Sequence, residues 1–350
     1  MKPPFAWEPL MAPANLRHRE PFAARIWPLA TAAAALFLIA GIFQTALGLS
    51  VGPAAYLPLL LSFVLFGLSH GAVDHLVLLG LARKALKTGP LLLVISGYLA
   101  LSVAVVGFWK AAPTVAVFGF LLLTIYHWGQ GDLAFDRLYR PSLWLETSSA
   151  SHGIFALLRG IIPIGLPFVA FPREANAFVE ACTALFSSVP VPGLPFIRTG
   201  FLLLICVLGT LHVLTQLLAF RRSRKVGHLH VLLESIALTA FFVVVPPLVA
   251  IGWYFCGWHS FRHVLRLCTY EPQRPDGQPR IRFARFFLQA APFTVAAIGL
   301  TAILLLLVGD FGAPNVSWLA TSLVAISAFT VPHACVVEWM DRREFSPDAR

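Results

Sequence analysis

The sequence predicts an all-α, polytopic integral membrane bundle of about ten transmembrane helices, with both termini cytoplasmic. Three observations carry that prediction. Of the 350 residues, 58% are hydrophobic and only 12% are charged, against roughly a quarter charged in a soluble domain. Nearly uncharged runs of about 20 residues, the length that crosses a hydrocarbon core as a helix, recur from residue 28 to the C-terminus. Basic residues concentrate in alternate loops, as the positive-inside rule requires of a chain threaded back and forth.

Residues 1–27 form a proline-containing, charged N-terminal segment expected on the cytoplasmic side. They lack the n-region, h-region and cleavage pattern of a signal peptide, so the first apolar run is expected to remain as a membrane helix. Spans are predicted at about 28–48, 54–82, 90–109, 114–133, 149–170, 199–220, 229–245, 247–268, 285–308 and 317–340. The 229–268 stretch as one helix would be about 60 Å long, twice the core thickness. Pro246-Pro247 divides it into two antiparallel spans; a single re-entrant element there would leave nine. Together these spans are expected to make one membrane domain, 28–341, followed by a cytoplasmic tail, 342–350. Prolines within or beside spans (Pro58, Pro163, Pro167, Pro332) predict kinks. Trp27, Trp109, Trp318 and Trp339 fall near span ends, where indoles favour the interface.

With the N-terminus inside, all of the 26 basic residues except Lys110, Arg159, Arg173 and Arg198 fall on the inner side. Topology therefore accounts for the net charge of +10, and a nucleic-acid partner is not expected. The five cysteines are scattered without a CxxC pair, so neither disulfides nor zinc are implied.

The histidines are placed less evenly. His259 and His263, in Trp258-His259-Ser260-Phe261-Arg262-His263, are four residues apart and share a helix face. His70, His127, His212 and His333 fall at a similar depth in other spans, in the inner half of the bundle, and His152 reaches it from the opposite direction. Ionisable groups inside a membrane face a bundle interior or a cavity. A layer of imidazoles with few acids has the composition of a nitrogen-rich iron or copper site. Asp74, four residues after His70, and Asp132, one to two turns after His127, are available to orient those rings. Gly67, Gly71, Gly129 and Gly131 beside the histidines suit close helix packing. Arg159, mid-span, needs a partner the sequence does not identify. Glu234 and Glu338 read equally well as interfacial charges paired with the basic loops.

At HGAVDH (70–75), YHWGQGD (126–132), SHG (151–153), WHSFRH (258–263) and PHACVVEWMD (332–341) the chain resembles the Brp/Blh family of membrane β-carotene dioxygenases. The motifs occur in family order over about residues 60–340. The resemblance implies an iron(II)- and O₂-dependent enzyme that cleaves β-carotene centrally into two retinals. It implies His70, His127, His259 and His263 as iron ligands, and leaves His75, His152, His212 and His333 as neighbours or cavity residues. The first span and the 171–198 segment lie outside these motifs. An apolar tunnel would hold the carotenoid, with Tyr126, Trp128 and Trp258 as candidate wall residues near the iron. The resemblance further implies a prokaryotic cell membrane as the setting, with retinal passed to an opsin. Competing readings are a desaturase or hydroxylase, a b-type haem protein, or a metal or proton transporter. The desaturase reading lacks the several HxxxH and HxxHH boxes such enzymes carry. An opsin would need a mid-span lysine, and Lys110 stands only at a helix end.

Overall fold

A computed structural model describes residues 20–81, 87–145, 147–269, 281–308 and 316–345. Residues 1–19 and 346–350 of the two predicted cytoplasmic segments, and the inner-side basic residues Arg83, Lys84, Arg274 and Arg280, lie outside these ranges. Among the described residues every regular element is helical.

Helix α1 (Glu20–Ala46) begins eight residues before the predicted first span. Residues 20–27 are thus part of a helix, anchored by the fully buried Ile26. The second span, α2, is a series of short pieces. Leu57–Ser62 is α-helical, Phe63–Gly67 is a π turn, and Leu68–Ala72 is α-helical again. The chain then leaves helical geometry at Val73 (φ −97°, ψ 5°) and restarts as Asp74–Leu81. Next come α3 (Thr88–Ala111) and α4 (Pro113–Tyr139); α4 starts on a proline, whose missing N–H costs nothing in a first turn. Helix α5 (Ser149–Ala170) is capped by Ser148 Oγ, which accepts from the Ser151 N–H at 3.2 Å.

Helix α6 (Pro172–Ala184) occupies the segment expected as an outer loop. It packs back onto the bundle through Val179 and Cys182, both fully buried, and burial pushes the Cys182 thiol up to about 12. Helix α7 (Leu194–Ser223) starts after Gly193 at φ 79°, a left-handed conformation natural to glycine. Helix α8 (Gly227–Val244) ends at Pro246-Pro247, which separates it from α9 as predicted. Helix α9 comprises Pro247–Tyr254, a π turn at Phe255–Ser260, and Phe261–Leu267. Helices α10 (Phe283–Val308) and α11 (Val316–Glu344) complete the bundle.

Eight of these, α1, α2, α3, α5, α7, α8, α10 and α11, are long and apolar enough to cross a membrane. Their outer faces carry exposed large apolar side chains, among them Leu36 and Phe43 on α1, Leu93 and Val103 on α3, and Leu203 and Val207 on α7. In water such a belt would drive aggregation; in lipid it is the solvated face. The remaining two predicted spans are α4 and α9, and they carry the polar cargo. Helix α9 is buried over nearly its whole length.

Close backbone approach sets the helix spacing. A Cβ on Gly129 would overlap the Ala156 carbonyl, and one on Gly160 the Ile125 carbonyl, so α4 and α5 meet backbone to backbone. The Phe37 ring of α1 fills the space over Gly257 of α9. The first span therefore buttresses the WHSFRH helix, contrary to the expectation that it stands apart from the motifs. Trp109 also departs from expectation. It is buried and donates to Ser327 Oγ at 2.7 Å, tying α3 to α11 rather than anchoring at an interface. Gly129→Val should cost more than the ~1–3 kcal/mol of ordinary overpacking, because a carbonyl cannot move aside; loss of a monodisperse peak in detergent chromatography is the readout.

Candidate metal centre and its cavity

Five imidazoles from four helices converge at one depth. His70 lies three residues beyond the π turn of α2, His127 lies on α4, His259 within the π turn of α9, His263 one turn later, and His333 on α11. All five are buried. One ring nitrogen each of His70, His127 and His259 lie within 4.8 Å of one another, a set able to hold a metal ion. The His263 ring centroid is 5.4 Å from that of His70. His333 is 4.6 Å from His70 and 5.0 Å from His127.

The two π turns shape this cluster. Each adds a residue to one helical turn and re-aims the side chains that follow, a device frequent at functional sites. They also touch: Gly67, ending the first, lets the Phe255 ring approach where a Cβ would collide. Phe255 in turn stacks on His259 at 5.8 Å with 11° between the planes. Gly71 and Gly131 face the rings without being required there: Cβ atoms would stand 3.5 Å from His333 Nδ1 and 3.6 Å from His259 Cε1, ordinary van der Waals contacts.

Tautomers follow from hydrogen bonds. His70 Nδ1 lies 2.9 Å from the Phe66 carbonyl oxygen, so it carries the proton and leaves Nε2 with a free lone pair. His127 Nε2 is buried with no hydrogen-bond partner. Buried polar atoms are nearly always satisfied, and unprotonated imidazole nitrogens suit a transition metal. The donor set fits a metal ion.

Two predicted orienting carboxylates do other work. Asp74 bonds His333 Nδ1 at 2.9 Å rather than His70, because the break at Val73 ends the helix that would have placed it on His70's face. Asp132 does not reach His127. Five residues on, it lies about 140° around the helix. There it accepts from Arg159 Nε at 2.8 Å, Arg262 Nη1 at 3.0 Å and Trp258 Nε1 at 2.9 Å. Arg159 thus finds its partners, Asp132 and Glu234, the latter at 3.0 Å. Glu234 is also 3.6 Å from both Arg262 and Arg140, and Arg140 pairs with Asp136. Three carboxylates balance three guanidiniums in this network, and Glu234 belongs to it rather than to a loop. Glu338 does pair at the periphery, with Arg342, Tyr126 and Gln130.

A cavity of about 580 Å³ opens on the cluster. His70, His127, His259 and His333 line one part, and the rest is almost wholly apolar, including Phe63, Phe120, Phe168 and Leu300. Ala175 and Phe178 of α6 contribute as well, so the 171–198 segment also reaches the motifs' cavity. Of the three aromatic residues expected at the wall, Trp128 lines it. Tyr126 does not: it is 49% exposed, with its hydroxyl on Glu338. Trp258 is buried against Asp132 instead, with the Arg262 guanidinium 4.0 Å from its ring centroid. His75 also lines the cavity, its ring against Phe293. His152 caps the Trp144 turn through Thr147, and His212 bonds Ser235; neither joins the cluster. His333 and Phe255 are the residues whose place at the centre was missed. The PHACVVEWMD motif marked the first, and nothing in the sequence marked the second.

The family model described as beta-carotene 15,15'-dioxygenase matches residues 61–341. A probable beta-carotene 15,15'-dioxygenase Blh of Halobacterium salinarum is 34% identical over 345 residues, 97% of each chain. The chain belongs to the beta-carotene 15,15'-dioxygenase family. Among other relatives in this dioxygenase family, the enzyme of uncultured marine bacterium 66A03 is 25% identical over 80% of this chain and 91% of its own. The Brp protein of Halobacterium salinarum is 27% identical over 92% and 94%. No solved structure matches the chain.

The buried network predicts that Asp132→Ala, which leaves Arg159 and Arg262 without their shared carboxylate, destabilises the fold by roughly 3–5 kcal/mol. Unfolding in detergent, followed by circular dichroism, measures it.

Proposed function

We propose that this dioxygenase-family chain is an iron(II)- and O₂-dependent enzyme that cleaves β-carotene at its central double bond into two retinals. His70, His127, His259 and His263 are the proposed ligands, in a single membrane catalytic domain spanning 28–341. The observation that carries this reading is a buried cluster of neutral nitrogen donors opening onto an apolar cavity. Iron(II) held by neutral imidazoles would supply binding and activation of O₂.

The residues' own contributions follow from their surroundings. Adding one O₂ to β-carotene and dividing it into two aldehydes consumes no proton and no external electron. A general acid or base is therefore not required beside the substrate, in keeping with walls made of Phe63, Phe120, Trp128 and Phe168. Those side chains would bind the polyene by apolar contact and exclude water. The Phe66 carbonyl holds the His70 proton on Nδ1 and so keeps Nε2 unprotonated. Phe255, stacked on His259, fixes that ring's plane. The curated relatives come from Halobacterium salinarum and a marine bacterium, and a prokaryotic cell membrane is the proposed setting. Both termini would be cytoplasmic, with retinal released into the bilayer for a retinal-binding opsin.

Expression in β-carotene-producing bacteria with pigment analysis tests the reading. The unmodified chain should bleach the cells and yield retinal, and His70→Ala, His127→Ala, His259→Ala and His263→Ala should each abolish both. Tyr126→Phe should stay within about twofold of the parent, because its hydroxyl faces Glu338 outside the cavity. Chelator treatment should remove activity and Fe(II) restore it. Retinal production that survives complete metal depletion would sink the proposal.

A further inference from the structure

His333 sits one residue after Pro332 in α11. Its ring is nearly perpendicular to those of His70, His127 and His263, at 86°, 83° and 85°, with centroid distances of 4.6, 5.0 and 5.5 Å. Its Nδ1 lies 2.9 and 3.1 Å from the two oxygens of Asp74 and so carries a proton. Nε2, on the far side of the ring, is buried without a hydrogen-bond partner, as is Nε2 of His127. Asp74 is itself fixed. The Tyr98 hydroxyl, with one proton to share, lies 3.3 Å from Asp74 Oδ2 and 3.0 Å from the Phe329 carbonyl oxygen.

A histidine present only to fill space would satisfy both nitrogens. One nitrogen tied to a carboxylate and the other left bare among imidazoles is the arrangement by which carboxylates orient metal-bound histidines. The chain also bends itself to create it. The break at Val73 turns Asp74 away from His70 toward His333.

We propose that His333 Nε2 is a further ligand to the metal proposed to be held by His70, His127, His259 and His263, with Asp74 as its positioning residue. This rests on the metal reading above. It would give the centre one imidazole made more electron-rich by a hydrogen-bonded carboxylate.

Metal binding itself, rather than turnover, tests the assignment. The purified full chain, depleted and titrated with Fe(II) against a chelator, gives an affinity, and X-ray absorption at the iron edge counts imidazoles. His333→Ala should weaken iron binding at least tenfold and remove one imidazole from the count, and added free imidazole should restore both. Asp74→Asn should lower affinity about 10–100-fold while the count stays unchanged. His152→Ala, outside the cluster, should match the parent in both. Should His333→Ala fail to fold, His333→Gln and Asp74→Asn supply the same comparison. Parent-like affinity and imidazole count in the His333 variants would overturn the assignment while leaving the metal reading intact. A parent chain that binds no iron would overturn the metal reading first.

Discussion

Charge inside an apolar bundle must be neutralised within hydrogen-bonding distance, and Asp132 is where this protein meets that constraint. Its carboxylate is 3% exposed and receives donors from α5 and, twice, from α9. Both α9 donors flank candidate ligands: Trp258 precedes His259, and Arg262 precedes His263. Because Asp132 shares α4 with His127, one carboxylate locks the two histidine-bearing helices in register. It touches no imidazole of the cluster. Its influence on the centre acts through helix position.

The molecule separates two polar systems that a sequence can easily confuse. On one side of α9 lies the balanced network of Arg140, Arg159 and Arg262 with Asp132, Asp136 and Glu234. On the other lie neutral imidazoles facing an apolar cavity. The first is structural, since each charge has a partner and removing one strands another. The second keeps bare nitrogens, which is costly unless something binds them. Arg266 with Asp341 and Glu344 repeats the first pattern between α9 and α11.

Composition and loop charge identified the bundle, and Pro246-Pro247 marked the boundary between α8 and α9, because hydropathy and proline chemistry are local. His259 and His263 are readable as a pair, and membrane depth groups them with His70 and His127 but equally with His152, His212 and His333; only the family resemblance separates the four proposed ligands from the rest. The failures were failures of phase. Asp74 was assigned to His70 by i+4 spacing, which assumes an unbroken helix through Val73. Tyr126 and Trp258 were placed at the wall because they adjoin ligand candidates, yet adjacent residues on a helix diverge by about 100°. The contribution of α1 through Phe37, and of α6 through Phe178, depends on tertiary contacts with no local signature. His333 was visible as a histidine in a motif, but its partner Asp74 lies 259 residues away.

The π turn at Phe255–Ser260 bears on how this helix tolerates change. A π turn holds one surplus residue, accommodated locally by its wider winding. Were the turn to close into ordinary α geometry with every residue kept, everything beyond would rotate by about 100° relative to Tyr254 and what precedes it. His263, Arg262 and Arg266 would leave their partners together, although no side chain among them had been altered. The centre depends on how this segment is wound as well as on its composition.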